Sequence, residues 1–192
     1  MKIQTANEFF IKDISFKFDL NLKDSFYLIH GENGSGKSSF LRLLQQNSKT
    51  YFMGKKVYLL DQKRLSPLGA HTLDDLLKKL KKFEYKQSPL FKDFYLRIKD
   101  YADIEITKLS GGQNQMVKIC LMLFIGADYY FLDEPFQYLD KNNSVFLEQI
   151  IEKLTSENNF GLLVEHRKFD CNHRLNSLFV EKSLNHIEVC NG

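Results

Sequence analysis

An α/β fold, a mainly parallel sheet covered on both faces by helices, is predicted by three observations. Apolar runs of strand length alternate with helical patterns along most of the chain. One such strand runs straight into a glycine-rich turn and a helix start, Gly31-Glu32-Asn33-Gly34-Ser35-Gly36-Lys37-Ser38. Another ends in two adjacent carboxylates, Asp133 and Glu134. The 192 residues suffice for one well-buried domain, and 43% hydrophobic with 27% charged residues is ordinary for a soluble globular protein. A net charge of +3 is too small to imply nucleic-acid binding.

The elements follow in order. Ile14, Phe16, Phe18, Leu20 and Leu22 alternate with polar residues, the period of a strand with one buried face. Phe26 to His30 is apolar on both faces, as a central parallel strand is. Ser39 to Leu44 continues the glycine-rich turn as a helix, and Lys55 to Asp61 reads as a further strand. Residues 63–108 change character. Thr72 caps a predicted helix in which Leu73, Leu76, Leu77 and Leu80 share a face, and Lys78, Lys79, Lys81 and Lys82 lie mostly off it. A second helix is expected from about Pro89 to Asp100. The α/β pattern then resumes with a helix at Gly111–Ile125, a strand at Tyr129–Asp133, a helix at Asn143–Leu154 and a strand at Phe160–Val164. Two short strands are expected between Leu178 and Cys190.

Cys120, Cys171 and Cys190 have no C-x-x-C spacing, so neither a metal site nor a disulfide framework is suggested, and Cys120 reads as a small core hydrophobe. The longest apolar run, Val117 to Leu132, is broken by Lys118, Gly126 and Asp128 and is short of a membrane span. No signal core is visible at the start, and a cytoplasmic protein is expected.

In the glycine-rich turn, residues without a Cβ let successive N–H groups curl around a phosphate. The following helix adds its unpaired N–H groups and positive dipole end. Lys37 is placed for the β- and γ-phosphates and the Ser38 hydroxyl for Mg²⁺. These residues imply a nucleoside triphosphate as ligand. Leu109-Ser110-Gly111-Gly112-Gln113 opens another predicted helix, where N–H groups and a hydroxyl can meet an anion; alone, such a phrase is more often a loop. Asp133 can hold Mg²⁺ through its hydration shell, and Glu134 can polarise an attacking water; alone, such a pair is more often a solvated strand end. His166 ends the strand Leu162-Leu163-Val164-Glu165-His166, where it could contact a γ-phosphate.

Taken in this order and spacing, the sequence resembles the ATP-binding cassette (ABC) ATPase family over nearly its whole length. The resemblance implies a P-loop NTPase of ABC type, with a mainly parallel sheet, flanking helices, a trimmed N-terminal antiparallel part and a small helical subdomain at 63–108. Residues 1–192 would form one ABC domain. Gly31, Glu32, Asn33, Gly34, Ser35, Gly36, Lys37, Ser38 and Ser39 match the nucleotide-binding Walker A region, and Gln62 the Q-loop. Leu109, Ser110, Gly111, Gly112 and Gln113 match the signature that acts on a partner's nucleotide. Asp133 matches the Walker B aspartate, Glu134 the catalytic glutamate, Asp140 the D-loop and His166 the switch histidine. The implied catalytic group is Glu134, His166 and Gln62; the implied metal group is Ser38, Gln62 and Asp133. ATP and Mg²⁺ are the implied cofactors. A second nucleotide-binding domain, a copy of this chain or a paralogue, is the implied partner.

Departures are visible. Lys37 to Gln62 is only 25 positions, so strands usual there are trimmed. The adenine-stacking aromatic of the family has only Phe9 and Phe10 as candidates, either of which can equally be core. Asn114-Gln115-Met116 stands where relatives carry basic residues, and Gln137-Tyr138-Leu139-Asp140 replaces Ser-Ala-Leu-Asp. The expected role is the ATPase subunit of a transporter, energising a separately encoded transmembrane permease at the cytoplasmic face of a membrane. The alternative is a soluble non-transport ABC ATPase in assembly, repair or translation. A third reading, an inactive regulatory cassette, is opposed by Glu134 and His166. The lysine cluster reads first as a solvated helix face, and nucleic acid is not an expected partner.

Overall fold

The computed structural model describes the chain except residues 1, 5–8, 12–13, 24, 66–69, 82–87, 158, 167–174 and 185; for residues 4 and 9–11 the description is of the backbone. It divides into two compact units. One comprises Met1–Asp61, Asp128–Pro135 and Ile151–Gly192; the other comprises Gln62–Ala127 and Phe136–Ile150.

The first unit is built on a sheet of nine strands. β1 (Lys2–Gln4), β2 (Phe9–Ile11) and β3 (Ile14–Asn21) precede β4 (Phe26–His30), helix α1 (Lys37–Gln46), the short α2 (Ser48–Tyr51) and β5 (Val57–Leu60). β6 (Tyr129–Asp133), β7 (Phe160–Val164), β8 (Asn176–Ser183) and β9 (His186–Asn191) complete it. The order is β1-β3-β9-β8-β4-β7-β6-β5, with β2 also on β3. From β8 through β4, β7 and β6 to β5 all neighbours are parallel, whereas β1 and β2 run antiparallel to β3 and β8 antiparallel to β9. Central strands buried on both faces must be apolar throughout. β4 and β7 meet that requirement, with Phe26 to Ile29 and Phe160 to Val164 all buried. β3 keeps its alternation instead, with Phe16, Phe18 and Leu20 in the core and Lys17 and Asp19 outside.

Phe40, Leu41, Leu43 and Leu44 of α1 join Phe18, Ile29, Leu162, Leu178 and Val180 in one core. Phe52 fills the space beside it, its ring centroid 5.2 Å from Tyr129 and 5.7 Å from Phe131. Such edge-to-face pairs fix ring positions beyond what area burial alone supplies. The parallel order has one consequence for chemistry. β4, β7 and β6 end at the same edge of the sheet, so the glycine-rich turn, His166 and the Asp133–Glu134 pair all leave from that edge.

The second unit contains helices α3 (Leu73–Leu80), α4 (Phe91–Ile98) and α5 (Gly111–Ile125), with 3₁₀ turns at Lys99–Tyr101 and Ile106–Lys108. Thr72 caps α3 by accepting from the Asp75 N–H at 3.2 Å, as its position before Leu73 requires. The predicted Pro89–Asp100 helix is α4 with its end tightened into the first 3₁₀ turn. The Phe91 and Phe124 rings, 5.0 Å apart, pack α4 against α5. α6 (Lys141–Ser156) is longer than the expected 143–154, because Asp140 supplies its N-terminal cap. Cys120 is fully buried, as a small hydrophobe in that position should be.

Candidate functional site

The glycine-rich turn closes on itself. The Ser35 N–H donates to the Glu32 carbonyl at 3.1 Å, and α1 starts one residue beyond Gly36. Gly36 has a φ of 102°, a left-handed conformation that disfavours any Cβ. A Cβ there would also collide with the Ile187 side chain of β9. Lys37 turns back across the loop and is only 6% exposed. Its Nζ donates to the carbonyls of Gly31 and Glu32, both at 2.8 Å. Burial lowers the Lys37 pKa, and the charges of Glu134 and Asp133 oppose that shift.

Asp133 ends β6, 1% exposed. One of its oxygens accepts from the Ser38 hydroxyl at 2.8 Å, while Oδ2 is buried without a hydrogen-bond partner. Desolvation raises its pKa, against the Ser38 hydrogen bond and the positive charge of Arg42. A buried carboxylate oxygen with no partner is costly unless something is meant to meet it. Together with the Ser38 hydroxyl it offers the hard oxygen donors that Mg²⁺ takes.

Glu134 follows with a φ of 50°, unusual for a side chain larger than glycine. Its N–H is held by the Val164 carbonyl at 2.9 Å, which carries the chain across the end of β7. There the Glu134 carboxylate comes 3.5 Å from Nε2 of His166. The first unit therefore brings together the turn, Lys37, Ser38, Asp133, Glu134 and His166. Ser39, the next residue of α1, is half-buried.

The second unit holds Gln62, the Leu109–Gln113 segment and Asp140. Ser110 caps α5 through a reciprocal pair: its hydroxyl accepts from the Gln113 N–H at 3.2 Å, and its own N–H donates to the Gln113 side chain at 2.9 Å. Leu109 is buried, and its carbonyl accepts from Arg64 at 2.5 Å. Gly111 and Gly112 lie under Tyr138, so closely that a Cβ on Gly112 would stand 2.8 Å from the Tyr138 carbonyl oxygen. Gln62, Gly111 and Tyr138 line one cleft together with Arg64, Asn114, Gln115 and Lys118. Asp140 accepts from the Asn143 N–H at 2.8 Å, the geometry of a helix N-cap.

Three features escape a reading of the sequence. Phe179 of β8 is 40% exposed and lines a cleft of about 510 Å³ with Gly31–Ser35, Glu181 and Lys182. Only the pairing of His30 with Phe179 across β4 and β8 brings it there. Arg42 and Asp61 face each other at 4.0 Å from different elements. Lys118, which interrupts an apolar run in the sequence, is 8% exposed and donates to the Lys63 carbonyl at 3.2 Å. Phe9 and Phe10, the proposed adenine-stacking candidates, have side chains outside the described residues. Lys82 and Cys171 lie outside them too.

A parallel sheet whose strand ends converge on a glycine-rich turn and helix start is the architecture of a P-loop NTPase. The family model described as ABC transporter matches residues 11–137. The chain belongs to that family, the ATP-binding cassette ATPases, as a single nucleotide-binding domain. It is 34% identical over 144 residues to the translation initiation factor rli1 of Schizosaccharomyces pombe, a match covering 71% of this chain and 22% of that protein. It is 30% identical over 180 residues to the tungstate uptake system ATP-binding protein TupC of Campylobacter jejuni, covering 81% of this chain and 51% of that one. The chain thus spans between about a fifth and about half of the length of these relatives. Among solved structures, the dimeric MJ0796, a bacterial ABC transporter cassette, superposes with a TM-score of 0.65 at 21% identity, covering 97% of this chain and 90% of that one. At that identity the likeness speaks to the fold.

Proposed function

We propose that this chain binds Mg·ATP at Gly31–Ser39 and hydrolyses it with a second cassette, as the ATPase subunit of a transporter. The observation that carries the chemistry is the convergence at one sheet edge of a glycine-rich turn, the Ser38–Asp133 pair at 2.8 Å and the Glu134–His166 pair at 3.5 Å. In this reading the γ-phosphate displaces the Gly31 and Glu32 carbonyls as the acceptor of Lys37. Ser38 and Asp133 would hold Mg²⁺. The ion, when bound, neutralises charge building on the β- and γ-phosphates. Glu134 accepts a hydrogen bond from the attacking water and takes its proton, with His166 steadying the carboxylate and reading the γ-phosphate. Phe179 offers the base an apolar surface beside the turn.

The capping box leaves the Ser110 hydroxyl proton free to donate, so a signature segment offered to a neighbour's nucleotide brings one O–H and the α5 N-terminal N–H groups. This supports an assembly in which each nucleotide lies between one cassette's turn and the other's signature. The match to a tungstate uptake ATP-binding protein over 81% of the chain favours transport, with a permease as membrane partner and a cytoplasmic location. Among the described residues no helix is long and apolar enough to cross a membrane. The 34% identity to a translation initiation factor supports a second reading, a mechanical ATPase without a permease. Affinity purification from native membranes separates the two. Recovery of a stoichiometric polytopic partner supports the first, and recovery with ribosomes the second. Unchanged ATP turnover in a folded Lys37→Ala chain would sink both.

A further inference from the structure

β5 and β6 run parallel with Leu60 opposite Leu132. The next residues, Asp61 and Asp133, therefore leave adjacent strand ends as two neighbouring carboxylates. The same arginine bears on both. Arg42, half-buried on α1, places Nη2 4.0 Å from Asp61 Oδ2, and its charge also acts on Asp133. Two buried atoms here lack partners among the described residues: Nε of Arg42 and Oδ2 of Asp133. An arginine fork and a carboxylate oxygen that are both unsatisfied close into a charge-assisted pair unless something holds them apart. Were they to close, the guanidinium would occupy the oxygen that a divalent cation needs.

We infer that Asp61 is a positioning residue, which anchors the Arg42 guanidinium and so keeps Oδ2 of Asp133 open for the metal of the bound nucleotide. The inference rests on the reading above that Asp133 serves Mg²⁺. It gives a task to a carboxylate and an arginine that the catalytic scheme leaves unused. In this inference Asp61 acts through Arg42. Because the outer partners of a metal site set how well its ligands are presented, losses of roughly 10–100-fold in metal affinity are the expected scale.

The test is the ratio of ATP dissociation constants, by equilibrium dialysis of the full chain, in EDTA and in Mg²⁺. That ratio reports how strongly metal and nucleotide support one another, without any turnover. Asp61→Asn should leave binding in EDTA unchanged and shrink the Mg²⁺ enhancement by roughly 10-fold or more. Asp61→Glu keeps the anchor charge and should keep most of the enhancement. Arg42→Gln should leave it intact, and the double variant Asp61→Asn with Arg42→Gln should regain it, since the guanidinium that would intrude is gone. A full enhancement in Asp61→Asn overturns the inference. So does a double variant as impaired as Asp61→Asn, because Asp61 would then act directly or through the fold. Asp133→Asn is the control for the parent reading. If it retains the full Mg²⁺ enhancement, the assignment of Asp133 to the metal fails and the Asp61 inference falls with it.

Discussion

Glu134 pays for its position. A glutamate at a φ of 50° is strained by about 1 kcal/mol or more, and its N–H bond to Val164 shows what holds it there. Strain at a carboxylate beside a histidine is what a water-polarising group would tolerate. Glu134→Gln keeps shape and hydrogen-bonding capacity and loses the charge. It should lower steady-state ATP hydrolysis by about 10²–10⁴-fold while the dissociation constant for ATP stays close to wild type. A wild-type rate in a folded Glu134→Gln chain would place the base elsewhere. Gly112 makes a different demand, of space alone. A Cβ there meets the Tyr138 backbone carbonyl at 2.8 Å, so Gly112→Ala must displace main chain. Overpacking of that kind costs about 1–3 kcal/mol, and each kcal/mol lowers the Tm of a chain this size by roughly 2–4 °C. Calorimetry of the nucleotide-free protein reads it, and an unchanged Tm would mean that the Tyr138 loop yields freely. At this scale the sequence is legible where chemistry lies in contiguous phrases. Gly31–Ser38, Leu109–Gln113 and Asp133–Glu134 are each recognisable within a short run of neighbours. Arg42 with Asp61, and Phe179 beside the turn, are not, because their neighbours come from parallel pairing across the sheet.

The elements are readable in proportion to the strength of their period. α5 and the strands β6 and β7 have the bounds expected for them, since an apolar run closed by a capping phrase or by carboxylates leaves little choice. Short elements escape: α2, a single turn after Asn47, and β1 and β2, three residues each, carry too few positions for a period to register. α5 also hides its polarity. Asn114, Gln115 and Lys118 are buried on it, and Asn114 accepts from the Leu65 N–H at 3.3 Å, a long-range bond no local pattern encodes. The same unit makes a prediction about pH. Burial pushes the Cys120 thiol from its usual 9.0 up to about 12 and the Tyr101 phenol from 10.0 to about 12. The Asp74 hydrogen bond, at 2.6 Å, raises Tyr95 to about 12 as well. All three groups stay protonated in the fold at a pH where the unfolded chain has released their protons. Stability is then unaffected by them below about pH 9 and falls as pH rises from 9 towards 12. Urea midpoints measured from about pH 8 to about pH 11 should decline over that window. Cys120→Ala should delay the onset to the tyrosine range, near the ordinary phenol value of 10.0. A midpoint that stays flat across the whole series would contradict the burial of these groups.

At the scale of the whole molecule, one sequence carries one glycine-rich turn and one signature segment, and the two belong to different compact units. If the nucleotide must lie between the turn of one cassette and the signature of another, a two-fold pair of chains completes two sites at once. The requirement can be tested without a structure of the pair. Lys37→Ala damages the turn and leaves the signature; Ser110→Arg damages the signature and leaves the turn. Each variant alone forms pairs in which both composite sites are broken, so each should be inactive. Mixed in equal amounts they form some pairs with one intact site, built from the turn of the Ser110→Arg chain and the signature of the Lys37→Ala chain. With random pairing about half the dimers are mixed, and roughly a quarter of the wild-type sites are restored. Recovery of activity on mixing therefore reports a shared site, whereas two defects within a self-sufficient monomer would never complement. The Glu134→Gln chain supplies the physical counterpart. Unable to discharge its nucleotide, it should elute as a dimer with Mg·ATP and as a monomer with Mg·ADP, and adding Ser110→Arg to it should abolish the dimer. Were Lys37→Ala and Ser110→Arg to stay inactive in every mixture while Glu134→Gln remained monomeric with Mg·ATP, the second cassette would have to be a different protein.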